Sequence, residues 1–357
     1  MCSTFRKGGR KPADTADTQQ MRWVAAFVCL AFLAAVGSAG AQPQPTRSWA
    51  APQIREVVDA GLMAPSVADF RPDEHLTSLE LATILASLGM QVTETDTDRP
   101  VTLRELDAKL VTALGLRPQA RDLRLGAEAS GLLPRTWLGT ETVARMLGLR
   151  INHLQSQEDL ELQLSQPATR AEAAYSIARL LEIQDYELDA VRLVLEAFTF
   201  PQLSVWQQNV LRRALRLVGS PYVWAGTSER PQQLFGRTLP GGFDCSGFVW
   251  RVYKLEPYAG APGLAAVLKG RTTYDMSGET PRLARITRSN LQPGDLVFFG
   301  SNGIRSKPRE VGHMGIYVGS GWMVHSSDRG TTLTPMTGWY ETRFAWGRRP
   351  LAEAGLA

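Results

Sequence analysis

Cysteine is almost missing from this 357-residue sequence, which holds three. Cys2 and Cys29 fall in an N-terminal stretch that reads as a removable signal, so a mature chain keeps only Cys245. One cysteine excludes an internal disulfide, and in an exported chain a lone thiol is open to oxidation unless it is useful. Histidine is nearly as scarce, with His75, His153, His313 and His325 making up the full set of 4. Cys245, His313 and His325 lack a fourth ligand at the usual spacing, which argues against a zinc site, and no metal or cofactor is expected. A membrane-spanning run is missing too: the uninterrupted apolar stretch Trp23–Val36 is too short to cross a bilayer comfortably. Apolar residues at 44% and charged residues at 21% exclude a disordered or collagen-like chain.

What is present begins with an export signal. Arg22 precedes the apolar stretch, and Gly37-Ser38-Ala39-Gly40-Ala41 supplies a small-x-small cleavage site, so residues 1–41 are expected to be removed. Met21 is an alternative start, because the polar stretch before it is unusual for such a signal. The remaining charge is uneven. Residues 42–200 carry 15 basic and 23 acidic residues (15 − 23 = −8), and residues 201–357 carry 19 and 10 (19 − 10 = +9). Two units with different partners are expected, the basic one suited to an anionic polymer. The boundaries drawn are 42–195 and 196–357.

The first unit is predicted to be helical and repetitive. Thr77-Ser78-Leu79-Glu80, Thr102-Leu103-Arg104-Glu105 and Thr169-Arg170-Ala171-Glu172 each place Thr three residues before Glu, the pattern of a capping box. Leu85, Leu110 and Ile177 each follow the Thr by eight residues, and Pro100 and Pro167 stand just before two of the boxes. Spacings of 25 and 67 residues between the threonines make the array uneven. Trp49, Ile54, Val57 and Val58 make a further helix face, followed by Gly61-Leu62-Met63 and Phe70-Arg71-Pro72-Asp73. This unit resembles a surface-layer-homology repeat over residues 49–90, with a weaker match at 160–184. The resemblance implies attachment to wall polysaccharide; a helical spacer, or a lid held over the second unit, is the alternative. His75 and His153 are isolated and no catalytic group is expected here.

The second unit changes character. Val210, Leu211, Ala214, Leu217 and Val218 form a helix face that ends at Gly219. Gly241 and Gly242 precede Cys245, and an apolar run follows it, which places the thiol at a helix N-terminus. There the free amides and helix dipole favour a thiolate and can hold an oxyanion, so a lowered thiol pKa is expected. Leu296-Val297-Phe298-Phe299 reads as a buried strand. Val311–Val318 and Trp322–His325 read as a hairpin about Gly319. His313 and His325 face each other directly across a three-residue loop; a two-residue turn puts them on opposite faces unless a bulge intervenes. Cys245 as nucleophile, His313 as base and His325 as the group that orients the ring fill the three roles that acyl transfer asks for.

Five ordered motifs carry a resemblance. Pro221-Tyr222-Val223-Trp224-Ala225-Gly226, Phe243-Asp244-Cys245-Ser246-Gly247-Phe248-Val249, Pro293–Phe299, Gly312-His313-Met314-Gly315-Ile316-Tyr317 and Met323-Val324-His325 resemble the NlpC-type peptidoglycan cysteine endopeptidases. That family implies a papain-like α+β domain, helices packed on an antiparallel sheet, behind an all-α repeat domain. It further implies a secreted or cell-envelope hydrolase that cuts stem peptides, often between D-glutamyl and a diamino acid, with no nucleic-acid partner. By the same resemblance Tyr222, Asp244 and Ser246 help hold the substrate. An amidase or acyl transferase, or an inactive wall-binding protein, remains an alternative on the same residues. Two departures stand out. Ala225 replaces a usual glycine, costing roughly 1–2 kcal/mol if φ is positive there, and Thr227–Gly241 is long, turn-rich and expected at the cleft.

Overall fold

Three threonines organise the first half of the chain. The computed structural model describes residues 48–90, 92 and 98–357; the expected signal, with Cys2 and Cys29, lies outside them. Seven helices come first: α1 (Ala51–Asp59), α2 (Ser78–Ser87), α3 (Leu103–Ala113), α4 (Arg117–Ala129), α5 (Leu138–Met146), α6 (Arg170–Glu182) and α7 (Asp185–Glu196). Thr77, Thr102 and Thr169 are the N-caps of α2, α3 and α6. The residues before them close a ring of main-chain bonds: Leu76 N–H donates to Ala168 C=O (2.9 Å), Ala168 N–H to Val101 C=O (2.7 Å) and Val101 N–H to Leu76 C=O (2.9 Å). A second set links the same three units in the opposite sense, from Ser78 to Arg99 (2.9 Å), Leu103 to Gln166 (3.0 Å) and Arg170 to Glu74 (2.7 Å). Units unevenly spaced along the chain are therefore equivalent in space, related by a pseudo-threefold arrangement.

The boxes themselves differ. Thr77 and Glu80 exchange both bonds, at 3.2 and 3.0 Å. Glu105 reaches back to Thr102 N–H at 2.9 Å and also pairs with Arg99, which holds its carboxyl down at about 2. At the third position Thr169 Oγ1 accepts from Glu172 N–H at 3.2 Å, but the Glu172 carboxylate turns instead to His153 at 2.8 Å. The buried partners His153 and Arg150 outcompete the N-cap amide there, so the expected third box is half-formed.

The second half continues with α8 (Val205–Arg216), the short strands β1 (Thr227–Ser228), β2 (Gln232–Leu234), β3 (Arg237–Leu239) and β4 (Gly242–Phe243), and then α9 (Cys245–Tyr253), α10 (Pro262–Val267) and α11 (Thr273–Gly278). After these come β5 (Leu296–Gly300), β6 (Val311–Gly319), β7 (Trp322–Ser327), β8 (Gly330–Pro335), α12 (Trp339–Arg343), β9 (Phe344–Arg348) and α13 (Pro350–Glu353). Strands β5 to β9 form one antiparallel sheet in the order β8-β7-β6-β5-β9. The sheet is buried on both faces. Phe298, Met314, Ile316 and Val324 share a core with Phe248 and Val249 of α9, while Val297, Phe299 and Met323 form a smaller cluster. Strand β5 therefore reads as a continuous apolar run rather than an alternating one.

The described residues from 48 to 357 form one compact unit, which contains the expected boundary at 195/196. Bonds cross that boundary: Arg145 of α5 donates to Gly219 C=O at 2.9 Å, and Asn152 accepts from Tyr222 N–H at 3.0 Å. Among the described residues no helix is long and apolar enough to cross a membrane.

Candidate active site

Asp244 is the N-cap of α9 and Cys245 its first residue. The Asp244 carboxylate accepts from Gly247 N–H, from Ser246 Oγ at 2.9 Å and from Ala225 N–H at 3.0 Å, and it pairs with Arg271 at 3.4 Å. Arg271 also donates to Ser246 Oγ at 2.7 Å and to Ala225 C=O at 3.2 Å. Ala225 does adopt positive φ, +61°, and these two bonds tie the strained turn down. Gly247 is obligatory for a different reason: a Cβ there would lie 1.8 Å from Gly226 C=O. Asp244 and Ser246 line the Cys245 cavity as expected, yet their polar atoms are engaged by the protein, so their visible work is to build the nucleophile's turn.

The thiol is held differently from the sequence expectation. Main-chain N–H groups of Met314 and Ser246 reach the sulfur and lower its pKa, and Thr273 Oγ1 lies 3.7 Å away. Burial nonetheless dominates, and with the nearby Asp244 charge it pushes the Cys245 thiol up to about 11. The expected lowering at a helix N-terminus is therefore overturned: desolvating a sulfur anion costs more than the first-turn amides return. His313 shows the matching effect. Burial brings it down to about 4, and only the Asp328 charge opposes this. The resting pair is a neutral thiol beside a neutral imidazole.

The two histidines meet because of a bulge. Ser320 and Gly321, both at positive φ (49° and 78°), make a two-residue turn, and a β-bulge between Tyr317 and Gly319 restores the parity that such a turn would break. Ile316 then stands opposite Val324, and His313 and His325 share a face diagonally rather than directly. His313 Nε2 lies 2.9 Å from His325 Nδ1, and His325 Nε2 lies 3.4 Å from the Tyr340 hydroxyl. That hydroxyl bonds onward to the Ser327 side chain. If His313 Nε2–H donates to His325 Nδ1, then His325 Nε2–H points to Tyr340, and His313 Nδ1 is free to take the thiol proton. Tyr340 was not found from sequence; it lies in a helix of five residues with no motif to mark it.

The cavity holding Cys245 has a volume of about 770 Å³ and is lined also by His313, Tyr222, Thr273 and Arg271. Part of its wall comes from the helical half. Asn152, Leu154, Gln155 and Glu158 line it, and Glu158 accepts from Trp224 N–H at 2.8 Å. His153, isolated in sequence, stands at this edge. The β2–β3 hairpin brings Phe235 to the rim, and Arg237 pairs with Asp159 at 3.1 Å, so the expected position of Thr227–Gly241 at the cleft holds. No group of three or more His, Cys, Asp or Glu residues suited to a metal occurs among the described residues.

Cys245 heads a helix packed on the sheet that carries His313 and His325, and this region matches a known family. The model of the NlpC/P60 family matches residues 219–349. This C-terminal region is an NlpC/P60 domain. Relatives of that domain include the "Bifunctional muramidase/DL-endopeptidase CwlT" of Bacillus subtilis, 31% identical over 40% of this chain and 36% of its own length. The "Murein DD-endopeptidase MepH" of Escherichia coli is 33% identical over 34% of this chain and 37% of its own. The "Gamma-D-glutamyl-L-lysine dipeptidyl-peptidase" of Bacillus cereus is 33% identical over 40% and 36%. The chain thus spans little more than a third of these relatives' lengths, and the likeness concerns the NlpC/P60 domain.

Proposed function

We propose that the protein is a secreted bacterial cell-wall hydrolase that cleaves peptidoglycan stem peptides between D-glutamyl and a diamino acid. The observation that carries this reading is one cavity lined by both Cys245 and His313, with the His313–His325–Tyr340 chain behind it. Cys245 Sγ attacks the scissile carbonyl carbon while His313 Nδ1 takes the thiol proton, so charge is created only as the bond forms. The Cys245 N–H, at the first helical position and without an intrahelical acceptor, stabilises the oxyanion. His313 then gives its proton to the departing amine, the C–N bond breaks, and a thioester remains. Water attacks the thioester with His313 as base, releasing the carboxylic acid and restoring the thiol. His325 accepts the His313 N–H as a neutral partner, since burial and the neighbouring His313 hold its own pKa well down.

The D-glutamyl bond is supported by one relative's name, which specifies γ-D-glutamyl-L-lysine, whereas another names a DD bond. Wall location and a polysaccharide contact through residues 42–195 belong to the same proposal, supported by the three equivalent capped units. Digestion of purified wall followed by mass spectrometry of the new termini is the test. Free amino groups on the diamino acid are expected. Cuts between D-amino acids would move the bond, amide or ester exchange products would make it a transferase, and no products from folded protein would leave a binding protein.

A further inference from the structure

Two cavities meet at His313. The larger contains Cys245; a smaller one of about 500 Å³ lies by the histidine pair, and the two share His313, Ser327 and Asp328. Under the proposed hydrolysis, on which this inference rests, the acyl half of a substrate lies beside the nucleophile. The departing amine must lie beside the imidazole that protonates it. A peptide running past His313 therefore puts its acyl half in the larger cavity and its leaving half in the smaller.

The smaller cavity is built for a residue carrying both charges. Trp339, 54% exposed, and Tyr340 give it an aromatic wall. Asp328 and Arg329, both exposed, sit on the turn between β7 and β8. The Asp328 carboxylate makes no hydrogen bond or ion pair with any described residue, although its field reaches His313 and Tyr340. Arg329 Nη1 donates to the carbonyls of Arg145 (3.1 Å) and Met146 (3.0 Å) at the end of α5, while its Nε and Nη2 bond to no described residue. The turn's backbone is pinned from the helical half, with Arg145 donating to Arg329 C=O and Asn152 to Asp328 C=O. Opposite charges on a braced turn, over exposed rings, make a preorganised site for a zwitterion.

We propose that this cavity is the leaving-group subsite and that it takes a diamino acid. Asp328 pairs with the side-chain ammonium, Arg329 with a carboxylate of the leaving half, and the aliphatic stem lies on Trp339 and Tyr340. The helical half thereby sets specificity through the turn it braces.

The test uses the full chain, soluble stem peptides whose leaving residue is lysine, norleucine or (for the charge-reversed variant) glutamate, and the free dipeptide L-Lys-D-Ala as a calorimetric probe. Wild-type protein should prefer lysine by about tenfold in kcat/KM, the worth of one charged hydrogen bond. Asp328→Asn should bring that ratio near one and weaken dipeptide binding by about tenfold. The lysine and norleucine peptides share the same His313, so the ratio cancels any effect of Asp328 on the base. Asp328→Lys should reverse the preference towards a glutamate-leaving peptide. If peptides are cut but neither the ratio nor dipeptide binding responds to Asp328, the subsite is wrong and the hydrolase reading survives. Asp328-dependent dipeptide binding without cleavage of any peptide would keep the subsite and overturn the hydrolase. Loss of neither kind, with no binding and no cleavage in wild type, would overturn both.

Discussion

In the helical half, Asp107 of α3, Glu141 and Arg145 of α5 and Glu172 of α6 are buried together with Arg150 and His153. In the second half, His313 and Tyr340 lie against the rings of Phe299 and Trp339, and His325 lies against His313 and Tyr340. The first cluster answers burial by pairing charges: Arg150 lies 3.3 Å from Asp107 and 3.4 Å from Glu172, and Arg145 lies 3.3 Å from Glu141. Pairing does not fully offset burial there. Burial and the neighbouring Glu141 push Asp107 well up, and burial pushes Glu161 up to about 8. Among the described residues the second cluster has no counter-ion in contact, and burial holds both imidazole pKa values down. Burial is therefore met by paired charges in one region and by neutral rings in the other.

That contrast can be broken at several points. The largest effect is expected from Cys245→Ala or His313→Ala, which should each lower turnover by about 10⁴-fold, with the double variant no worse, because nucleophile and base act as one unit. Steady-state kinetics of the three variants checks this, and additive losses would separate the two residues. Arg150→Met should instead cost about 3–5 kcal/mol of stability by leaving Asp107 and Glu172 uncompensated. Urea unfolding should show it, while kcat of the folded fraction stays within about twofold.

The neutral resting pair makes a pH statement. With the thiol at about 11, alkylation of Cys245 by iodoacetamide should rise steadily with pH through the range 7–10. His313, depressed to about 4, binds no second proton well above that value, so the acid limb of kcat/KM should lie near pH 4 rather than near 6.5. Fast alkylation at pH 6 would instead mean a thiolate–imidazolium pair. A smaller change is expected from His325→Ala, about 10–100-fold in kcat, with His325→Asn retaining more because its amide oxygen still accepts the His313 N–H. Equal loss in both would give the second histidine a chemical rather than a positioning role. Least of all, Ala225→Gly should stabilise the protein by about 1 kcal/mol by relieving the +61° φ, measured as a rise in Tm with kcat unchanged.

Sequence alone determined the parts whose signal is local. The Thr-x-x-Glu boxes mark where α2, α3 and α6 begin, because an N-cap satisfies amides three residues away. The apolar run after Pro293-Gly294-Asp295 marks β5, and Gly241-Gly242 followed by the apolar run from Cys245 marks a helix that the cysteine heads. Cys245 and the two histidines were legible for the same reason: scarcity and spacing are visible along a chain. Only the tertiary structure decided what depends on partners distant in sequence. It closed three unevenly spaced boxes into a ring, and it chose the bulge that set His313 and His325 on one face. It also brought Asn152 and Glu158 to the cavity that holds Cys245, and Tyr340 behind His325. The direction of the thiol's pKa belongs to the same class. A helix N-terminus can be read from neighbours in sequence, but desolvation is a sum over everything packed around the sulfur.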